Sequence, residues 1–349
     1  MIPLPLTRGA GGRLHFAGCG AVTLRIDRGD ILCKGGQGVV FRGRIYHGGG
    51  GGLLKQVAVK IKHRNSARDP FRDLEAEADV HARAWARLDH VLRPLGFLAA
   101  DRATGTPAML VSEIGMPFAL FVTQAGPLSH RRPRWIKAIT RITFELLRFI
   151  VSGYSVNLVH GDIKVWNLYV VNAEDLDLAE LAVGDFGAAQ LGEQKASGAV
   201  SYRAGVYHWD YTSPRMATYL YEQITSHGVK LKDLSVDRQL ALYNELFRFA
   251  RVAFTALVDR PPPDMLYGPS PWDTAQVPPL GLGDVADATC HLLRFALDLL
   301  TAGIIEDKVD LAYINGLDWY HSLLDVLGGS KDKTMIGAPG FCSSDTARW

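Results

Sequence analysis

Hydrophobic positions change period twice along the chain. The stretches Ala21–Ile26, Val39–Tyr46 and Gln56–Lys62 are short, rich in β-branched residues and parted by turn signals, which predicts strands. Residues 1–20 are rich in Gly and Pro without a sustained period, and read as an N-terminal extension with no assigned structure. Between Asp69 and Leu88 the interval becomes three and four. Phe71, Leu74, Ala78, His81, Trp85 and Leu88 share one face, predicting an amphipathic helix, with Pro70 at its start where a missing N–H costs little. Two more strand-like stretches follow, Leu95–Ala100 and Ala108–Glu113. After Gly115 the pattern is mainly helical. One long apolar stripe runs Trp135, Ile139, Ile142, Leu146, Phe149, Ile150; others run Leu240 to Ala250 and Val285 to Leu300. Short strands around Leu168–Val171 and Leu181–Gly184 interrupt the helices, and Pro261–Pro263 with Gly268–Pro271 reads as an exposed connection.

These elements predict an α+β protein of two lobes. A small β-rich lobe with one helix takes residues 21–114, a larger, mainly helical lobe takes 115–327, and 328–349 form a tail. The length of 349 residues agrees with two domains or one bilobal unit, at roughly 150 residues per domain. Apolar residues at 48% and charged residues at 21% exclude a disordered or fibrous chain. The 36 glycines are about a tenth of the chain against a usual ~7%, and the run Gly48–Gly52 suits a loose hairpin loop. The net charge of +2 gives no field that calls for nucleic acid or an anionic membrane as partner. Cys19, Cys33, Cys290 and Cys342 lack metal-ligand spacing and are too few to staple this chain, which points to a reducing, intracellular compartment. The start MIPLPLTRGAGG has no export pattern, and no run approaches the roughly 18 apolar residues of a membrane span, so a soluble, unexported protein is expected.

The chemistry gathers in His160-Gly161-Asp162-Ile163-Lys164-Val165-Trp166-Asn167, followed by a strand, and in Asp185-Phe186-Gly187 after a second strand. A loop with Asp, Lys two residues on and Asn five residues on can hold a base, a phosphate-facing cation and a metal ligand around one point. Phosphoryl transfer needs that set, because its transition state spreads negative charge over oxygens that Mg²⁺ and cations neutralise while a carboxylate takes the hydroxyl proton. Each motif alone is an ordinary collection of turn residues; their joint, ordered occurrence favours chemistry. Cys33-Lys34-Gly35-Gly36-Gln37-Gly38-Val39-Val40 lies between two predicted strands, where Gly35 and Gly38 could let a hairpin fold over phosphates. Val57-Ala58-Val59-Lys60 sets a lysine in an apolar strand, which is costly without a counter-charge. The next helix offers Glu77, or failing it Glu75.

The ordered set Gly35/Gly38, Lys60, Glu77, His160-Gly161-Asp162, Asn167 and Asp185-Phe186-Gly187 resembles the eukaryotic-type protein kinases over roughly residues 27–325. Lys164 follows the serine/threonine pattern. The resemblance implies ATP and Mg²⁺ as cofactors, held between the two lobes, and transfer of the γ-phosphoryl group to serine or threonine hydroxyls of a protein substrate. Lys60 would contact the α and β phosphates and pair with Glu77. Asp162 would be the base, with Lys164 beside it, and Asn167 and Asp185 would hold the metal. Cys33, Gly35, Gly38 and Val40 would cover the nucleotide, Glu113 and Gly115 would fall on the hinge that meets adenine, and Ser112 at the gatekeeper position.

The departures carry information too. Cys33 replaces the first glycine of the loop. Gly161 replaces the usual arginine, which implies an enzyme independent of activation-segment phosphorylation. Ser213-Pro214-Arg215 stands where the family has Ala-Pro-Glu, without the glutamate that pins the segment. Asp237 matches the aspartate that braces the catalytic loop. His-Gly-Asp with a later Asn also resembles the aminoglycoside and choline phosphotransferases, which usually lack the Gly35/Gly38 loop, the intact Asp-Phe-Gly and the Ser213-Pro214 segment. The spacing over Leu158–Leu191 is similar to that of the herpesvirus protein kinases. A pseudokinase scaffold is a third reading, weighed against by the presence of Lys60, Asp162, Asn167 and Asp185 together.

Overall fold

The computed structural model describes residues 4–8, 14–16, 22–34, 38–47, 52–62, 74–100, 107–126, 131–195, 197–203, 211–230, 233–258, 284–300 and 310–327. Gly35, Pro70, Phe71, Gly48 to Gly51, the Pro261–Pro271 connection and the 328–349 tail lie outside these residues. The chain divides between Ile114 and Gly115 into two compact units.

The first unit holds strands β1 (Leu4–Arg8), β2 (Leu14–Phe16), β3 (Val22–Lys34), β4 (Gly38–His47) and β5 (Leu53–Lys62), helix α1 (Leu74–Arg87), and strands β6 (Pro94–Leu98) and β7 (Met109–Glu113). The strands form one closed sheet in the order β1-β2-β3-β4-β5-β7-β6. Neighbours are antiparallel except at the closure, where β1 runs parallel to β6, with Leu4 opposite Gly96 and Pro5 opposite Phe97.

This corrects the expected architecture. The class is α+β, but the N-terminal region is a large, nearly closed β-barrel and not a small lobe of a few strands with a helix. The difference begins in residues 1–20, which are not a mere extension. Leu6 of β1 and Leu14 and Phe16 of β2 point inward and join Val22, Leu24, Ile45, Val57, Val59, Leu95, Met109 and Val111 in a packed barrel core. Burying a side chain of this kind is worth about 1.5–3 kcal/mol, which fixes two very short strands that alternation alone could not announce. Helix α1 sits against the sheet through Leu74 and Ala78, which cluster with Leu110.

The second unit begins with β8 (Met116–Pro117), α2 (Phe118–Ala125), α3 (Pro133–Ser155), β9 (Leu158–Val159), β10 (Leu168–Val171) and β11 (Glu180–Val183). A 3-10 turn at Phe186–Ala188 leads to β12 (Gln190–Leu191), β13 (Glu193–Gln194) and β14 (Val200–Arg203). Then come α4 (Pro214–Thr225), β15 (Ser235–Asp237), α5 (Arg238–Val258), α6 (Asp284–Leu300), α7 (Leu311–Asn315) and α8 (Asp318–Leu327). Helices α3 and α6 pack on α5, which is buried around almost its whole circumference from Leu240 to Leu257. A helix buried on nearly all sides is a central one. Strands β10 and β11 form a hairpin, with β8 added along β10. That hairpin and the β9–β12 pair set the two loops that carry the conspicuous polar residues.

Candidate functional site

In the first unit, Lys60 lies on β5 opposite Val40 on one side and Leu110 on the other. Its Nζ donates to both carboxylate oxygens of Glu77, at 2.7 and 2.9 Å. The side chains are only 18% and 6% exposed, so the pair is nearly dry and each charge depends on the other. Glu75, two residues earlier on α1, is exposed, and Glu77 is the carboxylate that meets Lys60. Cys33 is an exposed free thiol opposite Val40. Gly38 opens β4 so close to β5 that a Cβ there would strike the Ile61 carbonyl oxygen. Gly35 lies outside the described residues. Glu113, at the end of β7, forms an ion pair with Lys55 and donates its backbone N–H to the Arg93 carbonyl at 2.9 Å. The Ser112 hydroxyl turns to the Glu113 carbonyl at 3.1 Å.

In the second unit, β9 ends at Val159, and after His160 the chain turns sharply. Gly161 has φ +77°, and a Cβ on it would meet the Ala188 carbonyl oxygen, so position 161 accepts glycine alone. Asp162 then receives two donors on one oxygen, Oδ2: Lys164 Nζ at 2.8 Å and Asn167 Nδ2 at 2.9 Å. Asn167 also donates to the Asp162 carbonyl at 2.8 Å, and its own N–H closes a turn on Lys164 O at 2.9 Å. The predicted base, cation and amide thus form one knot. Trp166, within that turn, is 58% exposed.

Asp185 reaches the same region from β11. The Gly184 N–H donates to Asn167 O at 3.0 Å, and His160 Nε2 bonds Gly184 O at 2.9 Å. His160 Nδ1 accepts the Asp162 N–H at 3.3 Å, which fits the tautomer with its proton on Nε2. The buried imidazole packs edge-on against Phe186, with centroids 5.0 Å apart, and Phe149 packs edge-on against both rings. Asp185 itself is held at φ +57°, ψ +66°, an uncommon conformation for a non-glycine residue. Gly115 opens this unit against Tyr169, where a Cβ would come within 2.9 Å.

The donor set suits a hard cation. With Nδ2 of Asn167 committed to Asp162, its carbonyl oxygen is the atom to offer, and Asp185 adds a carboxylate. Mg²⁺ takes one or two such protein oxygens and completes its shell with water and phosphate. Among the described residues no cluster of three or more His, Cys, Asp and Glu side chains could form an all-protein metal cage.

One supporting residue escaped the sequence reading. Glu245 of α5, buried, accepts the backbone N–H groups of His160 (Oε2, 3.0 Å) and Gly161 (Oε1, 3.1 Å). Asp237, the expected brace, instead caps α5 by accepting the Leu240 N–H at 2.8 Å. The available signal was the polar set Asn244, Glu245 and Arg248 in the stretch whose apolar stripe runs from Leu240 to Ala250. A second buried acid stands behind β11. Glu145 of α3 accepts the Leu181 N–H at 2.8 Å, and burial pushes its carboxyl up to about 7.

Among the described residues no helix is long and apolar enough to cross a membrane. No protein-family model matches the chain, and no curated protein matches it.

Proposed function

We propose that the protein is an ATP- and Mg²⁺-dependent phosphotransferase that moves the γ-phosphoryl group to serine or threonine hydroxyls of protein substrates. The observation that carries the reading is the knot in which Lys164 and Asn167 both bond Asp162, on a loop tied by backbone and imidazole bonds to the turn that bears Asp185. The reading rests on this chemistry and not on the architecture of the first unit.

Asp162 orients the acceptor hydroxyl and takes its proton as the oxygen attacks the γ phosphorus and the bond to the bridging β–γ oxygen breaks, leaving ADP. Lys164, bonded to the same carboxylate, sets a positive charge beside the attacking and transferring oxygens. Asn167 and Asp185 would hold Mg²⁺, which supplies charge neutralisation on the phosphates. Lys60, kept oriented by Glu77, is assigned to the α and β phosphates.

The test is incubation of the protein with labelled ATP and generic protein acceptors, with aminoglycoside and choline panels in parallel, and product analysis by mass spectrometry. Phosphoserine or phosphothreonine in protein is the expected result. Label in the small molecules alone would replace the acceptor class, and bound nucleotide without any labelled product would leave a scaffold.

A further inference from the structure

In the second unit, two large apolar side chains stand in water beside the turn that carries Asp162. Trp166 is 58% exposed and Leu120 is 46% exposed. Single exposed hydrophobic residues are ordinary on a protein surface, so position has to decide what these two mean. Helix α2 is tied to the turn by one long hydrogen bond, from Ala119 N–H to the Val165 carbonyl at 3.4 Å. Leu120 and Trp166 are the next residues on the two sides of that bond, so the backbone sets them next to each other.

Trp166 also lies between two residues, Lys164 and Asn167, that both bond Asp162 Oδ2. Asn167 Nδ2 is 2.9 Å from that oxygen, and successive Cα atoms are about 3.8 Å apart, which keeps the Trp166 backbone within about 10 Å of it. Three residues of extended chain cover about that distance. A peptide whose hydroxyl meets Asp162 therefore brings a neighbouring side chain onto the indole.

The surface that side chain meets is uncharged. The buried side of α2 holds Phe118, Phe121, Val122 and Ala125, while Leu120, Thr123 and Gln124 are exposed. Thr123 turns its hydroxyl back to the Ala119 carbonyl at 2.8 Å. Helix α2 carries no charged residue, and the only two charges of the 161–167 turn, Asp162 and Lys164, are paired with each other. A basic or acidic side chain would thus give up water without a counter-charge on either segment. A leucine or phenylalanine has no such loss and removes apolar surface from water on both sides of the contact.

We propose that Trp166 and Leu120 form an apolar subsite that selects protein substrates with a large aliphatic or aromatic side chain within about three residues of the phosphorylated serine or threonine. This substrate class rests on the phosphotransferase reading.

The test is transfer from ATP, by the full-length protein, to serine and threonine peptides on an alanine background. Leu, Phe, Arg, Asp or Gly is placed in turn at each of three positions on either side of the acceptor. At one position, kcat/KM for Leu and Phe is expected to exceed that for Gly, Arg and Asp about tenfold, the low end of apolar discrimination because the surface is open. Selectivity is read as the Leu-to-Gly ratio within each protein, so a general loss of activity in a variant cancels. Trp166→Ala is expected to bring that ratio to about 1. Leu120→Glu, a change on the solvent side of α2, is expected to lower the ratio and to raise the use of Arg at the same position about threefold, as suits an exposed ion pair. A wild-type preference for Arg would overturn the proposal, as would equal rates across the panel or a ratio unchanged in both variants. Transfer without an apolar preference sinks the subsite and leaves the functional reading standing, whereas no transfer to any peptide or protein sinks both.

Discussion

Glu145 gives a stability prediction whose sign is opposite to that of most carboxylates. Its side chain is buried on α3 and accepts the Leu181 N–H. Arg141, one turn away, does little to offset the burial: its Nε is 4.0 Å from Glu145 Oε1, too far for a hydrogen bond, and its other nitrogens donate to the carbonyls of Leu176, Asp177 and Ala179. Burial therefore dominates, with the Leu181 N–H and Arg141 pulling the other way, and the carboxyl is raised from 4.5 to about 7. Between those values the folded protein keeps a proton that the unfolded chain has released, so stability falls as pH rises, by about 1.4 kcal/mol per pH unit. Below 4.5 no penalty applies, and above 7 it is complete, at roughly 3 kcal/mol. Glu145→Gln preserves the shape and the acceptor for Leu181 but cannot ionise. Urea unfolding of both proteins at pH 5, 6, 7 and 8 cancels every other titrating group in the difference. The glutamine variant should gain on wild type from pH 5 to pH 7 and hold a constant advantage beyond. Parallel pH profiles for the two proteins would refute the argument that burial outweighs the Leu181 and Arg141 contributions.

Three further outcomes follow from the second unit. Asp162→Asn keeps an oxygen able to accept from Lys164 and Asn167, so the loop should stay folded while turnover with a phosphorylatable protein falls about 10² to 10⁴-fold; unchanged turnover removes Asp162 from the chemical step. Asp185→Ala should abolish the Mg²⁺ dependence of nucleotide binding in calorimetric titrations, and binding that still responds to Mg²⁺ as in wild type would reject Asp185 as a ligand. Gly161→Ala and Gly198→Ala form a matched pair: both glycines have positive φ, +77° and +83°, worth about 1–2 kcal/mol for a side-chain residue, but only at 161 does the added Cβ strike backbone. Urea midpoints should show the larger loss at 161, and equal losses would show that the Ala188 contact costs nothing.

Helices α1, α3, α5 and α6 were legible because each carries a long apolar stripe, and burial of that stripe is most of what stabilises them; the shorter α2, α4, α7 and α8 carry no stripe long enough to stand out. The barrel was not legible either, for two local reasons. Strands β1 and β2 span five and three residues, too few for a period of two to stand out among Gly and Pro, and their partners are set at long range, with Leu4 facing Gly96. Beyond the predicted stretch Ala21–Ile26, Asp27-Arg28-Gly29-Asp30 has the local composition of a turn. In the structure the strand runs on to Lys34, with register shifts against β4 flanking Ile31. Two of those residues meet cross-strand partners that the local sequence cannot reveal: Arg42 bonds Asp30 and Arg44 pairs with Asp27.

The site divides along the same line. Lys60 advertised its need for a counter-charge because its flanking strand is apolar, and helical phase puts Glu77 beside Ala78 on the buried side of α1 while Glu75 stays exposed. Asp162, Lys164 and Asn167 are close in sequence, so a single turn suffices to bring them together. Glu245 acts on residues 85 and 84 positions earlier, and no local spacing encodes that contact. The accounting of polar groups does encode its necessity. A helix buried on all sides cannot keep Asn244, Glu245 and Arg248 unless other parts of the chain bring them donors and acceptors, because an unpaired buried charge costs several kcal/mol. Gly161 is the complementary signal: a loop whose amides must reach a buried carboxylate, with a neighbouring carbonyl at the place of the Cβ, excludes every side chain. Polar residues on a buried helix and an obligatory glycine in a loop are thus two ends of one constraint, and either could be used to look for the other.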